Sequence, residues 1–185
     1  MAKPKTPKPV TALDLAKEVV KLITLKKLKP TTGIYLDLGK ANFNRFAGGS
    51  LQKALQAPAF KNCEACGIGG FFLAYVDKKN EVEIPPKIQE EFGYNRENIS
   101  TCMNDDDDMV EKMEGIISER QLRLIECAFE CTNVNDAVYD DIAEAAARAF
   151  GKQYSSATKR MLAIAENLID HKGKFCPSIT VDWYD

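Results

Sequence analysis

A single histidine, His171, is all the imidazole in a chain of 185 residues. Metal centres that need two histidines from one chain are excluded, and a Ser–His–Asp arrangement would have to use this one residue. No G-x-S-x-G elbow presents a serine to it. His171 falls in the last turn of an expected helix, where a partial positive charge is favourable. Long apolar runs are also missing. The longest, Ala65 to Val76, carries three glycines and falls short of the about 20 residues needed to span a bilayer. No apolar run follows the lysine- and proline-rich first ten residues, so neither an export signal nor a membrane anchor is expected. Charge of one sign is not in excess: 25 basic residues stand against 27 acidic ones, for a net charge of −2. No overall basic field therefore draws the chain to nucleic acid.

Recognised cofactor signatures fail as well. Gly67-Ile-Gly-Gly70 is not a dinucleotide fingerprint, because Phe72 takes the place of the last glycine, and no lysine or hydroxyl follows as in a phosphate loop. Asp105 to Asp108 begins no EF-hand. Met109 and Val110 occupy its fifth and sixth positions, where an oxygen ligand and a glycine belong.

What is present is the composition of a soluble globular protein, 45% apolar and 28% charged, at a length suited to one domain. Thr11 and Asp14 read as a helix start, followed by Leu15, Val19, Leu22 and Ile23 at helical spacing. That helix ends before Pro30. Ile34, Leu36 and Leu38 alternate with Tyr35 and Asp37, which allows at most a short strand near 33–38. Ser50 is placed to cap a helix over Leu51 to Gln56, and Asn62 to cap a Cys63–Val76 helix that continues to about Asp77. The acidic run caps a short helix through Glu114. Ser118-Glu-Arg-Gln121 has the form of a capping box, in which serine takes an amide and glutamine reaches back. Helices then restart at Asn133 or Asn135 and at Ser155 or Ser156, with Gly151 and Gly173 as stops and Pro177 preventing continuation. Their short connections suggest antiparallel neighbours. The expected fold is mostly α: a single-domain helical bundle around the Cys63–Val76 helix. A flexible basic arm over 1–9 precedes the domain at 10–177, which contains an acidic, loop-rich insertion at 81–114. A tail over 178–185 follows.

Charge is unevenly spread. Residues 1–30 hold eight lysines and two acids, and residues 81–114 hold eleven acids and three basic residues. Unpaired carboxylates are costly to bury, so the second segment belongs at the surface. Asp105, Asp106, Asp107, Asp108 and Glu111 are its candidate partner-binding residues. Cys66, Gly70 and Ala74 recur at intervals of four and form a stripe of small residues. A stripe of that kind admits close helix packing, and beside it a small ligand pocket. No metal is called for. If zinc were bound, Cys63 and Cys66 with Cys127 and Cys131 would be its four thiolates, although the second tight C-x-x-C loop is missing and both pairs sit in apolar stretches. Without zinc, the six cysteines read as free thiols of a reducing cytoplasm, several of them packed as small hydrophobes.

Three blocks, Cys63-Glu-Ala-Cys66-Gly-Ile-Gly-Gly-Phe-Phe-Leu-Ala-Tyr-Val76, Ser118-Glu-Arg-Gln-Leu-Arg-Leu-Ile-Glu-Cys-Ala-Phe-Glu130 and Met161 to Phe175 followed by Pro177, cover about a quarter of the chain. Together they resemble small proteins of phages and mobile elements. The resemblance implies a largely helical cytoplasmic protein and brings no activity, cofactor or functional residue with it. No acid–base pair, nucleophile or phosphate loop stands out. The expected function is therefore non-catalytic: a binding or regulatory protein with a protein partner, in the phage setting one that acts on a host system. Two alternatives remain open. One is a sequesterer or enzyme of small, nucleotide-type ligands using the pocket beside the glycine-rich helix. The other is a zinc-stabilised nucleic-acid binder with its lysines on phosphates.

Overall fold

The computed structural model describes residues 9–79, 82–84, 106–131 and 142–177. Residues 1–8 of the basic arm expected over 1–9, Asp105, the start expected at Asn133 or Asn135 and the tail from 178 lie outside them. The described residues form eight helices and one small three-stranded sheet.

Helix α1, Ala12–Thr24, starts where Thr11 predicts. The Thr11 hydroxyl accepts the Asp14 N–H at 3.2 Å, and Asp14 accepts the Thr11 N–H at 3.0 Å, so two orphan donors are satisfied reciprocally. Leu15, Ala16, Val19 and Leu22 turn inward. Strands β1, Leu28–Pro30, and β2, Leu36–Asp37, flank β3, Cys63–Ala65. β3 runs parallel to β1, with Leu28 opposite Cys63, and antiparallel to β2, with Leu36 opposite Ala65. Pro30 has no N–H to donate, and it lies on the edge strand β1, where this does least harm.

The sheet corrects the expected Cys63–Val76 helix. Asn62 caps nothing. Residues 63–65 alternate buried, half-buried, buried as a strand must, and Glu64 faces Lys29 across the ladder with 2.6 Å between their charged atoms. The helix begins only after Cys66, as α4, Gly67–Lys79, following α2, Gly39–Phe46, and α3, Leu51–Gln56. The Ser50 cap of α3 forms as expected. Every residue of α4 from Gly67 to Val76 is buried, so it has no solvent face. Helix α1 and α3 pack against it, as do α5, Asp106–Met113, and α6, Glu119–Glu130. A β-carbon at Gly69 would overlap the Tyr35 carbonyl oxygen, so only glycine lets the start of α4 lie on that backbone.

Helix α7, Ile142–Lys152, lies along α6, and α8, Ala157–Asp170, lies chiefly along α1. The short link between α7 and α8 thus joins helices that pack mainly on other partners, not on each other. Gly151 is not the stop it was expected to be. It lies inside α7, and a β-carbon there would overlap the Ala128 carbonyl oxygen of α6. The glycine marks the close approach of two helices. The Ser118 hydroxyl accepts the Gln121 N–H as expected, but the Gln121 side-chain oxygen Oε1 turns away from the cap and accepts the Phe175 N–H at 2.6 Å. Asn167 holds Cys176 by both of its backbone groups, at 2.8 and 3.0 Å, so the segment after α8 is strapped down and Phe175 is buried against Phe150.

Replacing a helical glycine by alanine normally stabilises by about 1 kcal/mol. At Gly151 the sign should reverse. Gly151→Ala is expected to cost about 2–3 kcal/mol, because α6 and α7 must part to admit the methyl group. Urea unfolding monitored by circular dichroism reads this; an unchanged or raised midpoint would show that the contact is slack.

Candidate functional site

Helix α5 is anchored by Met109 and Met113, one turn apart and both fully buried against the core beside α4. Gly115, at φ 79°, turns the chain, Ile117 is buried, and Ser118 then starts α6. The two helices leave between them a groove of about 750 Å³. Ile68 from the first turn of α4 and Leu122 from α6 form its floor, and the half-buried Val110 and Ile116 line its sides. Its rim is acidic. Glu111 and Glu114 stand on the α5 side; Glu119 and Glu126, two turns apart, stand on the α6 side. One cation, Arg123, is also in the lining. Its Nε donates to Glu144 Oε1 at 2.7 Å, and Arg120 Nη1 donates to the same oxygen at 2.8 Å. Glu144 itself is only 4% exposed on the inner face of α7.

A second, smaller opening of about 260 Å³ is lined by Gly33, Ile34, Tyr35, Cys66, Glu126 and Glu130. Burial raises the Glu130 carboxyl, while the Gly33 N–H, 3.0 Å and 3.2 Å from its two oxygens, and the charge of Arg160 pull it back. Burial also pushes the Cys66 thiol up to about 12, so it is protonated at neutral pH and is not a ready nucleophile.

Of the residues singled out from the sequence, Glu111 lines the larger groove. Asp106 to Asp108 occupy the first turn of α5, and Asp105 lies outside the described residues. Cys66 opens on the smaller cavity. Gly70 and Ala74 are buried, and a β-carbon at Gly70 would come within 2.8 Å of the Met161 methyl group of α8, so that part of the stripe is helix contact. Three of the four cysteines considered for zinc have separate local partners. Cys63 Sγ donates to the Lys27 carbonyl at 3.2 Å, Cys131 Sγ donates to that of Ala128 at 2.9 Å, and Cys127 Sγ faces Arg148 Nη1 at 3.8 Å. Among the described residues no group of three or more metal-ligating side chains is gathered. Elemental analysis is accordingly expected to find no stoichiometric zinc in the purified chain. Zinc at one equivalent, with unfolding on chelation, would contradict this. His171 ends α8 at the surface, with Nδ1 2.8 Å from the Asn167 carbonyl oxygen.

Sequence reasoning overlooked two buried ionic clusters. Glu144 is one. The other is Glu18, 2% exposed on the inner face of α1. Lys21 donates to Glu18 at 2.6 Å, and Lys78, at the end of α4, also pairs with it. Asp77 stands beside them, 3.5 Å from Lys21. The signal was available. Glu18 and Glu144 each sit on the apolar stripe of a helix, where a charge is out of place unless it is paired.

Comparison with protein-family models, curated proteins and solved structures finds no match to this chain in any of the three.

Burial alone would raise the Glu18 carboxyl, but hydrogen bonds from Lys21 and Lys78 outweigh it and hold the group below its ordinary value of 4.5. Burial and the neighbouring Glu18 carboxyl push Asp77 the other way. Protonating Asp77 therefore favours the folded state. The contribution of Glu18 is complete above the unfolded glutamate value and is lost as pH falls through its depressed one. Glu18→Gln is expected to cost about 2 kcal/mol at neutral pH and to reduce the loss of stability in acid. Urea midpoints for both proteins across the acid range measure it; parallel pH profiles would show that Glu18 is not held ionised.

Proposed function

We propose that this chain is a non-catalytic binding and regulatory protein that works in the cytoplasm by holding a protein partner in the groove between α5 and α6. The observation that carries this reading is the groove itself. It is open, has an apolar floor and a charged rim, and its walls are two helices anchored separately to the buried α4. Apolar cores ringed by polar groups are the usual anatomy of protein recognition surfaces. The reactive groups elsewhere support the same reading: burial holds the Cys63 and Cys66 thiols up to about 12, and Glu18 and Glu144 are engaged in ion pairs. The resemblance to phage and mobile-element proteins supplies the setting, in which the partner belongs to a host system.

Ile116 contributes apolar surface to the groove and is half-buried, so Ile116→Ser tests the reading. The full chain, immobilised and exposed to extract of its source cells, should retain one protein in stoichiometric amount. The variant should lose it while keeping its melting curve. Retention by both forms, or by neither, would overturn the assignment. A nucleotide-type ligand that raises the melting temperature would point instead to a small-molecule sequesterer.

A further inference from the structure

We propose that the occupant of this groove is a lysine- or arginine-rich amphipathic segment of the partner, laid with its apolar face on Val110 and Ile116 and its cations along Glu111, Glu114 and Glu119. The inference rests on the binding role above and commits it to one chemistry.

Charge complementarity carries it. Two carboxylates stand on each wall, and the one cation in the lining, Arg123, donates to Glu144 on the neighbouring helix. Glu111, Glu114 and Glu119 are exposed, so their field reaches solvent. The C-terminal end of α5, at Met113, adds the negative end of a helix dipole between the walls. Like charges held around one opening repel each other in the free protein, and a cationic ligand relieves that repulsion. An anionic segment would deepen it, and a purely apolar one would leave it unrelieved. The apolar sides require more than charge, because a hydrophilic polycation would leave Val110 and Ile116 wet. An amphipathic segment satisfies both demands.

The test uses the full chain and three labelled amphipathic peptides with the same leucine face and polar faces of lysine, glutamine or glutamate. Fluorescence anisotropy at low salt should show the lysine peptide binding about tenfold tighter than the glutamine peptide, a margin that narrows as salt is added. Glu111→Lys combined with Glu114→Lys, two exposed changes, should abolish that margin and favour the glutamate peptide. Equal binding of all three peptides, weakened alike by Ile116→Ser, overturns the cationic occupant and leaves the binding role intact. Binding by none overturns the proposal, and the binding role is then judged separately by the co-purification. Changing Lys3, Lys5 and Lys8 to Gln should leave the affinity for the lysine peptide unchanged. A gain would identify the chain's own basic arm as the occupant and overturn a separate partner.

Discussion

Helix α4 is buried around its whole circumference, and the rest of the fold is arranged by that constraint. A helix with no solvent face must be approached from every side, and here the approaches are α1, α3, α5 and α6 with the edge of a small sheet. Close approach requires small residues. Gly69 admits the Tyr35 backbone, and Gly70 admits the Met161 methyl group. The Cys66 N–H, immediately before the helix, donates to the Ile34 carbonyl and ties strand and helix into one corner. The three-residue strands gain little by themselves. They position the start of α4, and Ile68 in its first turn then becomes the floor of the groove.

Polar groups inside the molecule follow a second rule, that buried side chains are given partners, with Arg160 Nε the exception among the described residues. Asn42 donates to the Leu38 and Lys61 carbonyls and accepts the Lys61 N–H, so a loop and a helix are held together through one amide. Glu18 pins the N-terminal helix to the C-terminal end of α4, and Glu144 gathers two arginines from α6. Buried ion pairs of this kind contribute less to net stability than to the choice of one arrangement over its alternatives, since removing charges from water offsets most of their attraction. Glu144 also matters to the groove, because it draws Arg123 toward α7 and leaves the acidic rim to set the field.

The groove arises where anchoring ends. Met109 and Met113 fasten one face of α5 to the core, and Leu122 and Ile125 fasten α6, while the turn at Gly115 keeps the two helices from closing on each other. A surface with an apolar floor and acidic edges is what remains, and its walls are set by helix packing on the core. That explains how it can be formed in advance of any partner, at little ordering cost on binding.

Much of the local structure was legible because it depends on near neighbours in the chain. Thr11, Ser50, Ser118 and Ser156 each start a helix through a side-chain oxygen and an amide three residues on, and the apolar stripes of α1, α6 and α8 carry a plain helical period. Glu111 was marked by the acidic run around it. Contacts distant in sequence were not legible. Cys63 to Ala65 are too few to display an alternating pattern, and they are a strand only because Leu28 and Leu36 lie on either side. Gly151 has the look of a helix stop until Ala128 is set against it, and Gln121 completes a capping box until Phe175 offers another donor. The sequence by itself determined that the chain is mostly helical and where four of its helices begin, after Thr11, Ser50, Ser118 and Ser156. Tertiary structure decided which glycines are contacts, which glutamates are buried and that Val110, Ile116 and Leu122 share a groove, because each of these depends on what another part of the chain brings to within a few ångströms.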